Sequence, residues 1–302
     1  MPLDVIVMDD VLIHGIYARH ISGENGTAGE DGTRTSHAGG LNFTMTIQSV
    51  KRAIEILTLF SPERPRLGIT DISRMMKLPK PTVHGLVQTL IDQDFLIRDK
   101  ETRKYSLGLK LYELGIFLSG TLKINQVGGG LAQRLSIKTG QMVRLAIWDK
   151  DKVLITMNLF PTVDDSMFFR QLGLGPRVPA HCTAVGKAIL SRYSPERRKA
   201  FLQQINLTRH TPHTIVHEEE LLRDLEEASK TRISKESEEY LKGLSCIGTA
   251  IYDDSGEAVA AISLSGGLDF LKRPDLDELC ANLIQTAAEI SISMGCPPSF
   301  II

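Results

Sequence analysis

Five polar side chains recur on one face of a short segment: Lys80, Thr82, His84, Gln88 and Thr89. A lysine offers charge to a phosphate. Threonine, histidine and glutamine side chains offer hydrogen bonds, and a glutamine amide can pair bidentately with an adenine edge. Val83, Leu86, Val87 and Leu90 take the opposite stripe at helical spacing. Shortly after comes Asp99–Lys104, a charged, turn-prone tip that carries Lys100, Arg103 and Lys104. One group can read bases while the other holds the DNA backbone. A second set lies in the C-terminal half. His181-Cys182-Thr183-Ala184-Val185-Gly186-Lys187 opens a helix with small residues after Pro179. Ser263 and Ser265 share one face of a strand, as do Cys246, Gly248 and Ala250 of another. Free N–H groups at a helix start, serine hydroxyls and small side chains together suit a small carboxylate.

The first set needs a reading helix and a ribbon, and Gly68–Gly108 supplies both. Ile69, Ile72 and Met76 follow helical spacing, with Thr70 as the cap candidate. Leu78-Pro79-Lys80-Pro81 interrupts that helix, and Pro81 suits the first turn of the next. Phe95-Leu96-Ile97 and Tyr105-Ser106-Leu107 bracket the basic tip as a hairpin. This is the pattern of a winged helix-turn-helix. The plainer alternative is an ordinary helical hairpin with a β-ribbon. Charge separates the two: residues 46–110 hold 12 Lys+Arg against 7 Asp+Glu, whereas residues 111–302 hold 21 against 23. The basic excess sits on the proposed reading head, as phosphate neutralisation requires. A further helix precedes it, with Val50, Ala53, Ile54, Leu57 and Phe60 on one stripe.

Leu109–Ser119 is too apolar for a solvated linker, so it reads as a bridging helix that packs against another copy. Beyond it the pattern becomes mixed. Val127–Lys138, Thr183–Tyr193, Pro195–Gln204, His217–Lys230 and Pro274–Met294 read as helices, the fourth of them acidic and well capped. Gln141–Trp148, Val153–Leu159, Cys246–Tyr252 and Ala258–Ser265 read as strands, with a short extended piece at residues 168–172. Helices on a mainly antiparallel sheet make the fold class α+β.

A chain of 302 residues is long enough for about two domains, and 42% apolar with 24% charged residues is a globular balance. Residues 1–45 read as a disordered or spurious extension, poor in large apolar residues, with Met45 near the functional start. No apolar run approaches the ~20 residues of a membrane span, and a signal peptide is not expected. Four widely spaced cysteines fit a reducing cytoplasm. His210, His213 and His217 read as surface histidines before an acidic helix, since Pro212 breaks any common face. His181-Cys182 by itself is a poor metal sign, so neither metal nor cofactor is expected. No nucleophile elbow, phosphate loop or zinc-hydrolase motif is present.

The chain resembles IclR-type transcriptional regulators from about Met45 to Gly295. The resemblance rests on SVKRAIEIL, LPKPTVHGLVQTL, RKYSLGLKLYELG, PAHCTAVGKAILS, HTPHTIV and GLSCIGTAIYDDSGEAVAAISLSG, in that order and spacing. It implies a winged helix-turn-helix over residues 46–108, a linker helix over 109–121 and a GAF-like effector domain over 122–297. It also implies homodimers or dimers of dimers on palindromic double-stranded operators, and a small organic acid or aromatic catabolite as effector. By position, the implied effector residues are Ala184, Val185, Glu236, Cys246, Ser263 and Ser265, where Glu236 comes from the resemblance alone. Gly85 departs from the arginine that similar proteins often carry after Val-His, so operator sequence does not transfer. Two other functions stay open here. One is an enzyme with a winged-helix dimer module, for which no catalytic constellation is evident. The other is a DNA-binding protein whose second half only oligomerises, against which the Ser/Cys/Gly face argues.

Overall fold

The reading head folds because three amphipathic helices and a ribbon share one small core. A computed structural model describes residues 46–162 and 177–301. The extension read at residues 1–45 and the extended piece at 168–172 lie outside the described residues. Helices α1 (Gln48–Leu57), α2 (Ile69–Met76) and α3 (Lys80–Asp92) precede strands β1 (Leu96–Arg98) and β2 (Tyr105–Leu107). Ile56, Ile72, Val83, Val87, Leu96 and Tyr105 are buried together. Lys77 takes a left-handed backbone, φ 53°, to close α2. Pro79 caps α3 and Pro81 sits in its first turn. Gly108 must be glycine, because a Cβ there would overlap the Asp94 carbonyl.

Two expectations for these helices change. The cap of α2 is Gly68 rather than Thr70: the Gly68 N–H donates to Asp71 Oδ2 at 3.1 Å, which leaves Thr70 inside the first turn. On α1 the residue fully buried is Ile56, while Val50 and Ile54 remain 53% and 57% exposed. Periodicity places residues on a stripe but does not say which stripe meets this core.

Helix α4 (Leu109–Thr121) buries no residue. Leu109, Tyr112, Ile116 and Phe117 all stand in solvent. Helix α5 (Lys123–Thr139) follows and ends on Gly140 at φ 65°. The remaining elements are β3 (Met142–Asp149), β4 (Lys152–Leu159), β5 (Arg177–Pro179), α6 (Ala184–Leu190), α7 (Pro195–Leu202), α8 (Glu218–Thr231), β6 (Ser234–Ser237), β7 (Ser245–Tyr252), β8 (Ala258–Gly266) and α9 (Leu276–Ser293).

The six strands form an antiparallel sheet in the order β5-β4-β3-β8-β7-β6. Strand alternation sends Ile247, Ile251, Ile262 and Leu264 to one face, where they pack with Leu135, Leu283 and Ile290 of α5 and α9. The other face carries Ala146, Ala250 and Ala261 against Val185, Ile189, Leu221 and Leu225 of α6 and α8. The edge strands β5 and β6 carry no strong apolar alternation in sequence. In β6 the residues turned inward are Ser234 and Glu236. Helix α6 is shorter than its sequence pattern, and α8 is not well capped. Its N-cap, His217, makes no side-chain bond, so Glu218, Glu219 and Glu220 in the first turn complement the helix dipole instead. Among the described residues no helix is long and apolar enough to cross a membrane.

Candidate functional site

On α3, burial of Val83, Val87 and Leu90 turns the opposite face to solvent. Lys80, Thr82, His84, Gln88 and Thr89 are all exposed there. Gln88 Nε2 donates to Asp92 Oδ1 at 2.8 Å, and Thr89 Oγ1 donates to the Gly85 carbonyl at 3.0 Å. No atom crowds Gly85 within 4 Å, so the middle of this face is open. The wing tip is fixed by one carboxylate. Asp99 accepts the N–H groups of Thr102 and Glu101 at 2.7 and 3.1 Å and the Thr102 hydroxyl at 2.8 Å. Those bonds hold its carboxyl below the usual range, the Thr102 N–H foremost. The tight turn places Arg103 at φ 57° and leaves Arg103 and Lys104 exposed.

The second set converges on the α6 side of the sheet. Register aligns Arg144, Ser263, Gly248 and Ser234 in one cross-strand row. The next row is Met142, Ser265, Cys246 and Glu236. Helix α6 lies tight over these rows, because Gly248 has no Cβ to meet the Ala184 carbonyl. Ser234 Oγ donates to that carbonyl at 2.6 Å. A small pocket remains, lined by Arg144, Ala184, Val185, Glu236, Cys246 and Ser263, with room for about one water molecule. A wider groove between α5 and α9 is lined by exposed or half-buried side chains such as Arg134, Lys138 and Glu289. It is open to solvent and offers no buried polar group among its described lining residues, so the smaller pocket is the candidate site.

Arg144 is the charged pocket residue that the sequence reading missed, together with Val178, Tyr240 and Leu244 of the lining. Arg144 is 6% exposed, and its Nε and Nη2 have no hydrogen-bond partner among the described residues. Burial pushes its guanidinium down from the ordinary arginine value, with Cys246, Glu236 and Tyr240 opposing. Arginine nevertheless stays charged. The signal in the sequence was a lone arginine inside the apolar run Met142–Trp148. Glu236 Oε1 accepts the N–H groups of Glu239 and Tyr240 at 2.8 and 3.3 Å. Burial is the main reason its pKa rises to about 7, and the nearby Glu239 charge adds to it.

The other expected residues divide by role. Ser263 makes no side-chain hydrogen bond to a described residue, so its hydroxyl is available to the pocket. Ser265 does not line the pocket; it lies beside Cys246, whose Sγ is 3.2 Å from its hydroxyl. The start of α6 is a weaker anion site than its sequence suggests. The helix has seven residues, and the Gly186 N–H is already directed at Thr183 Oγ1 at 3.4 Å. Arg144 is therefore the dominant positive group facing the pocket. Burial also holds the thiols of Cys182, at about 12, and Cys246 well above neutral, so neither is a ready nucleophile. His210, His213 and His217 are exposed, as expected.

With both sites described, comparison with known proteins is specific. Residues 49–100 match the IclR helix-turn-helix domain. Residues 119–292 match the bacterial transcriptional regulator IclR C-terminal family. The HTH-type transcriptional regulator XynR of Escherichia coli is 32% identical over 251 residues, 83% of this chain and 98% of that protein. The repressor AllR of E. coli is 31% identical over 248 residues, 82% of this chain and 90% of that protein. Among solved structures, Thermotoga maritima IclR aligns with TM-score 0.65 and 26% identity over 83% of this chain and all of that one. An IclR homologue from Microbacterium hydrocarbonoxydans, complexed with 4-hydroxybenzoate, aligns with TM-score 0.66 and 23% identity over 82% of this chain and 98% of that one. The chain belongs to the IclR family of bacterial transcriptional regulators, which are DNA-binding proteins with an effector-binding C-terminal domain rather than enzymes.

Proposed function

We propose that a small organic acid bound beside Arg144 sets the affinity of this regulator for a palindromic operator. In this reading residues 46–108 bind DNA, 109–121 link, 122–297 hold the effector, and the protein acts on the chromosome in the cytoplasm. Helix α3 enters the major groove with Lys80, Thr82, His84, Gln88 and Thr89, while Arg103 and Lys104 meet phosphates. A palindrome needs two reading heads related by a two-fold axis. The exposed apolar faces of α1 with its cap residue (Ile47, Val50, Ile54) and of α4 support a homodimer, with dimers of dimers as the larger assembly.

The observation that carries the effector reading is the buried guanidinium of Arg144 at the pocket wall, whose Nε and Nη2 have no hydrogen-bond partner among the described residues. A buried charge without a partner is strongly unfavourable, and a carboxylate can pair with arginine through two parallel hydrogen bonds. Ser263 supplies a further donor; the space seen holds about one water, so an acid enters only if the pocket widens between the small side chains of Ala184, Val185 and Cys246, with Ser265 beside Cys246. Glu236 would repel a second carboxylate when ionised. With its pKa near 7 it can instead stay neutral or accept a ligand hydroxyl. That favours a hydroxy or keto acid. The acid changes DNA affinity only if it prefers one arrangement of the linker helices.

The test uses full-length protein and an operator fragment selected from random DNA, followed by fluorescence anisotropy. Lactate, pyruvate and 4-hydroxybenzoate are compared with their amides. We expect an acid to shift operator affinity where its amide does not, and Arg144→Met to bind operator normally without responding. An Arg144→Met protein that responds at the same concentrations, or amides as effective as acids, would overturn the reading.

A further inference from the structure

The approach to α6 brings together residues that the effector pocket does not use. His181, Cys182 and His210 each offer a ligating atom, and these atoms all lie within 4.8 Å of one another. His181 and Cys182 are buried beside one another in the chain. His210 comes from the loop between α7 and α8, nearly thirty residues later. We propose that His181, Cys182 and His210 form a zinc site with one coordination position left open.

Each ligand is prepared for that role by its own surroundings. His181 Nε2 lies 3.1 Å from the Thr208 carbonyl, which makes that nitrogen the N–H donor and leaves Nδ1 with its lone pair. A backbone carbonyl holding the far nitrogen is the usual way a metal-binding histidine is oriented. Cys182 is free and fully buried, so it has no competing disulfide. His210 is exposed, which gives an ion a path inward and lets the imidazole swing. Its backbone is held nonetheless, because the His210 N–H donates to Thr214 Oγ1 at 3.0 Å. Thr211 and Thr214 fasten the same loop to the Glu238 and Glu239 carbonyls, each at 2.6 Å. The loop therefore brings an adjustable ring on a fixed backbone.

The distances are within reach of coordination. With Zn–N of about 2.0–2.1 Å and Zn–S of about 2.3 Å, tetrahedral geometry needs ligand atoms roughly 3.3–3.6 Å apart. Closing from the observed spread asks for about an ångström per pair: rotation of the exposed His210 shortens the two pairs it belongs to, and a small side-chain rotation of His181 or Cys182 must close the third. Two imidazoles and a thiolate suit zinc better than magnesium or calcium, which prefer oxygen. On binding, the thiol proton leaves to solvent as the Zn–S bond forms, and no oxidant or reductant is needed. Because Cys182 directly precedes the Thr183 cap of α6, a bound ion would fix that helix start.

The experiment is an anaerobic cobalt titration of the reduced, metal-free full-length protein. Cobalt(II) reports a bound thiolate through near-ultraviolet charge-transfer absorption and a tetrahedral site through visible bands. We expect both to saturate at one cobalt per chain and to disappear when zinc is added. Cys182→Ser should remove the charge-transfer band, whereas Cys280→Ser should keep it. His210→Asn, on an exposed side chain, should weaken binding by about tenfold or more while the fold is kept, so the site can be judged even if Cys182→Ser folds poorly. A wild-type protein without the charge-transfer band, a band that survives Cys182→Ser, or unchanged affinity in His210→Asn would each overturn the proposal.

Discussion

The reading head and the pocket treat polar side chains in opposite ways. On α3 and the wing, every proposed contact residue stands in water, and only local bonds such as Gln88–Asp92 hold the side chains. In and behind the pocket, Arg144, Glu236 and Ser263 of its lining and the nearby Lys187 are buried, and the charged groups among them shift with their surroundings. An exposed basic surface suits a polyanion, which brings its own dense charge and releases counterions. A buried constellation suits a small ligand, because few contacts must each be strong in a low-dielectric site. Changes in the pocket half should therefore alter stability and pH response, while changes on the reading face should alter DNA affinity alone.

Lys187 is where this contrast should break most sharply. It is fully buried, with Nζ 2.7 Å from Glu239 Oε1 and 2.9 Å from Asp224 Oδ2. Burial disfavours its charge, yet Glu239 and Asp224 outweigh that and hold its pKa above the ordinary lysine value. Because this is a base with a raised pKa, its stabilising contribution is complete below the unfolded value and fades only in alkaline solution. Lys187→Met leaves two carboxylates without their cation. We expect a loss of about 3–5 kcal/mol, nearer the lower end because the Asp224 side chain is 32% exposed. Urea unfolding at neutral pH measures it. An unchanged midpoint would show that the buried charges contribute nothing net.

Glu236 sharpens the comparison through pH. Its pKa is raised from 4.5 to about 7, so the ionised carboxylate disfavours the folded state. The sign follows: the penalty is absent below pH 4.5, grows as pH rises toward 7 and is complete above it. Glu236→Gln keeps an acceptor oxygen for the Glu239 and Tyr240 N–H groups but cannot ionise. The variant should match the wild type in acid and exceed it above neutral pH by up to about 3 kcal/mol. Effector affinity of the wild type should fall over the same interval, whereas that of the variant stays flat. Unfolding curves and operator anisotropy across the interval test both; parallel curves for the two proteins would remove Glu236 from the pH response.

On the reading face the expected effects are smaller and leave folding untouched. Gln88 gives one of its two amide protons to Asp92, which leaves the other N–H and Oε1 for a base edge. Gln88→Ala should relax preference at one operator position by about 1–3 kcal/mol if the contact is bidentate. Competitive binding of single-base operator variants measures it. Equal losses on every sequence would mean that Gln88 touches backbone rather than a base edge.

The same contrast explains what could be read from the sequence. The winged helix was legible because its devices are local: paired prolines at Pro79 and Pro81, apolar spacing through Leu90, and a charged hairpin tip. The small-residue strands were legible because alternation fixes which side chains share a face, and Ser263 with Cys246 did meet in one pocket. Arg144 was not, since one charge in an apolar strand shows its role only when neighbouring strands leave it unpaired. Glu236 lies on an edge strand whose buried residues are polar, so no apolar alternation marks it. The proximity of His210 to Cys182 depends on how a loop folds back, which no spacing encodes. The exposed faces of α1 and α4 show a different limit, because an apolar stripe looks the same whether this chain or another covers it.

Lys104 marks the gentle end of the comparison. It is exposed on the wing, beside Arg103, in a turn fixed by Asp99. Nothing in the fold depends on its side chain, so Lys104→Ala should leave the unfolding midpoint where it was. If it neutralises one phosphate, the variant should bind every DNA sequence less well by the same factor. The slope of log affinity against log salt should then become shallower by about one unit. Specific and nonspecific duplexes titrated over a salt series give both numbers. A specificity change would instead put Lys104 at a base edge. An unchanged slope would place the wing away from the backbone and leave α3 alone to carry the electrostatic contact.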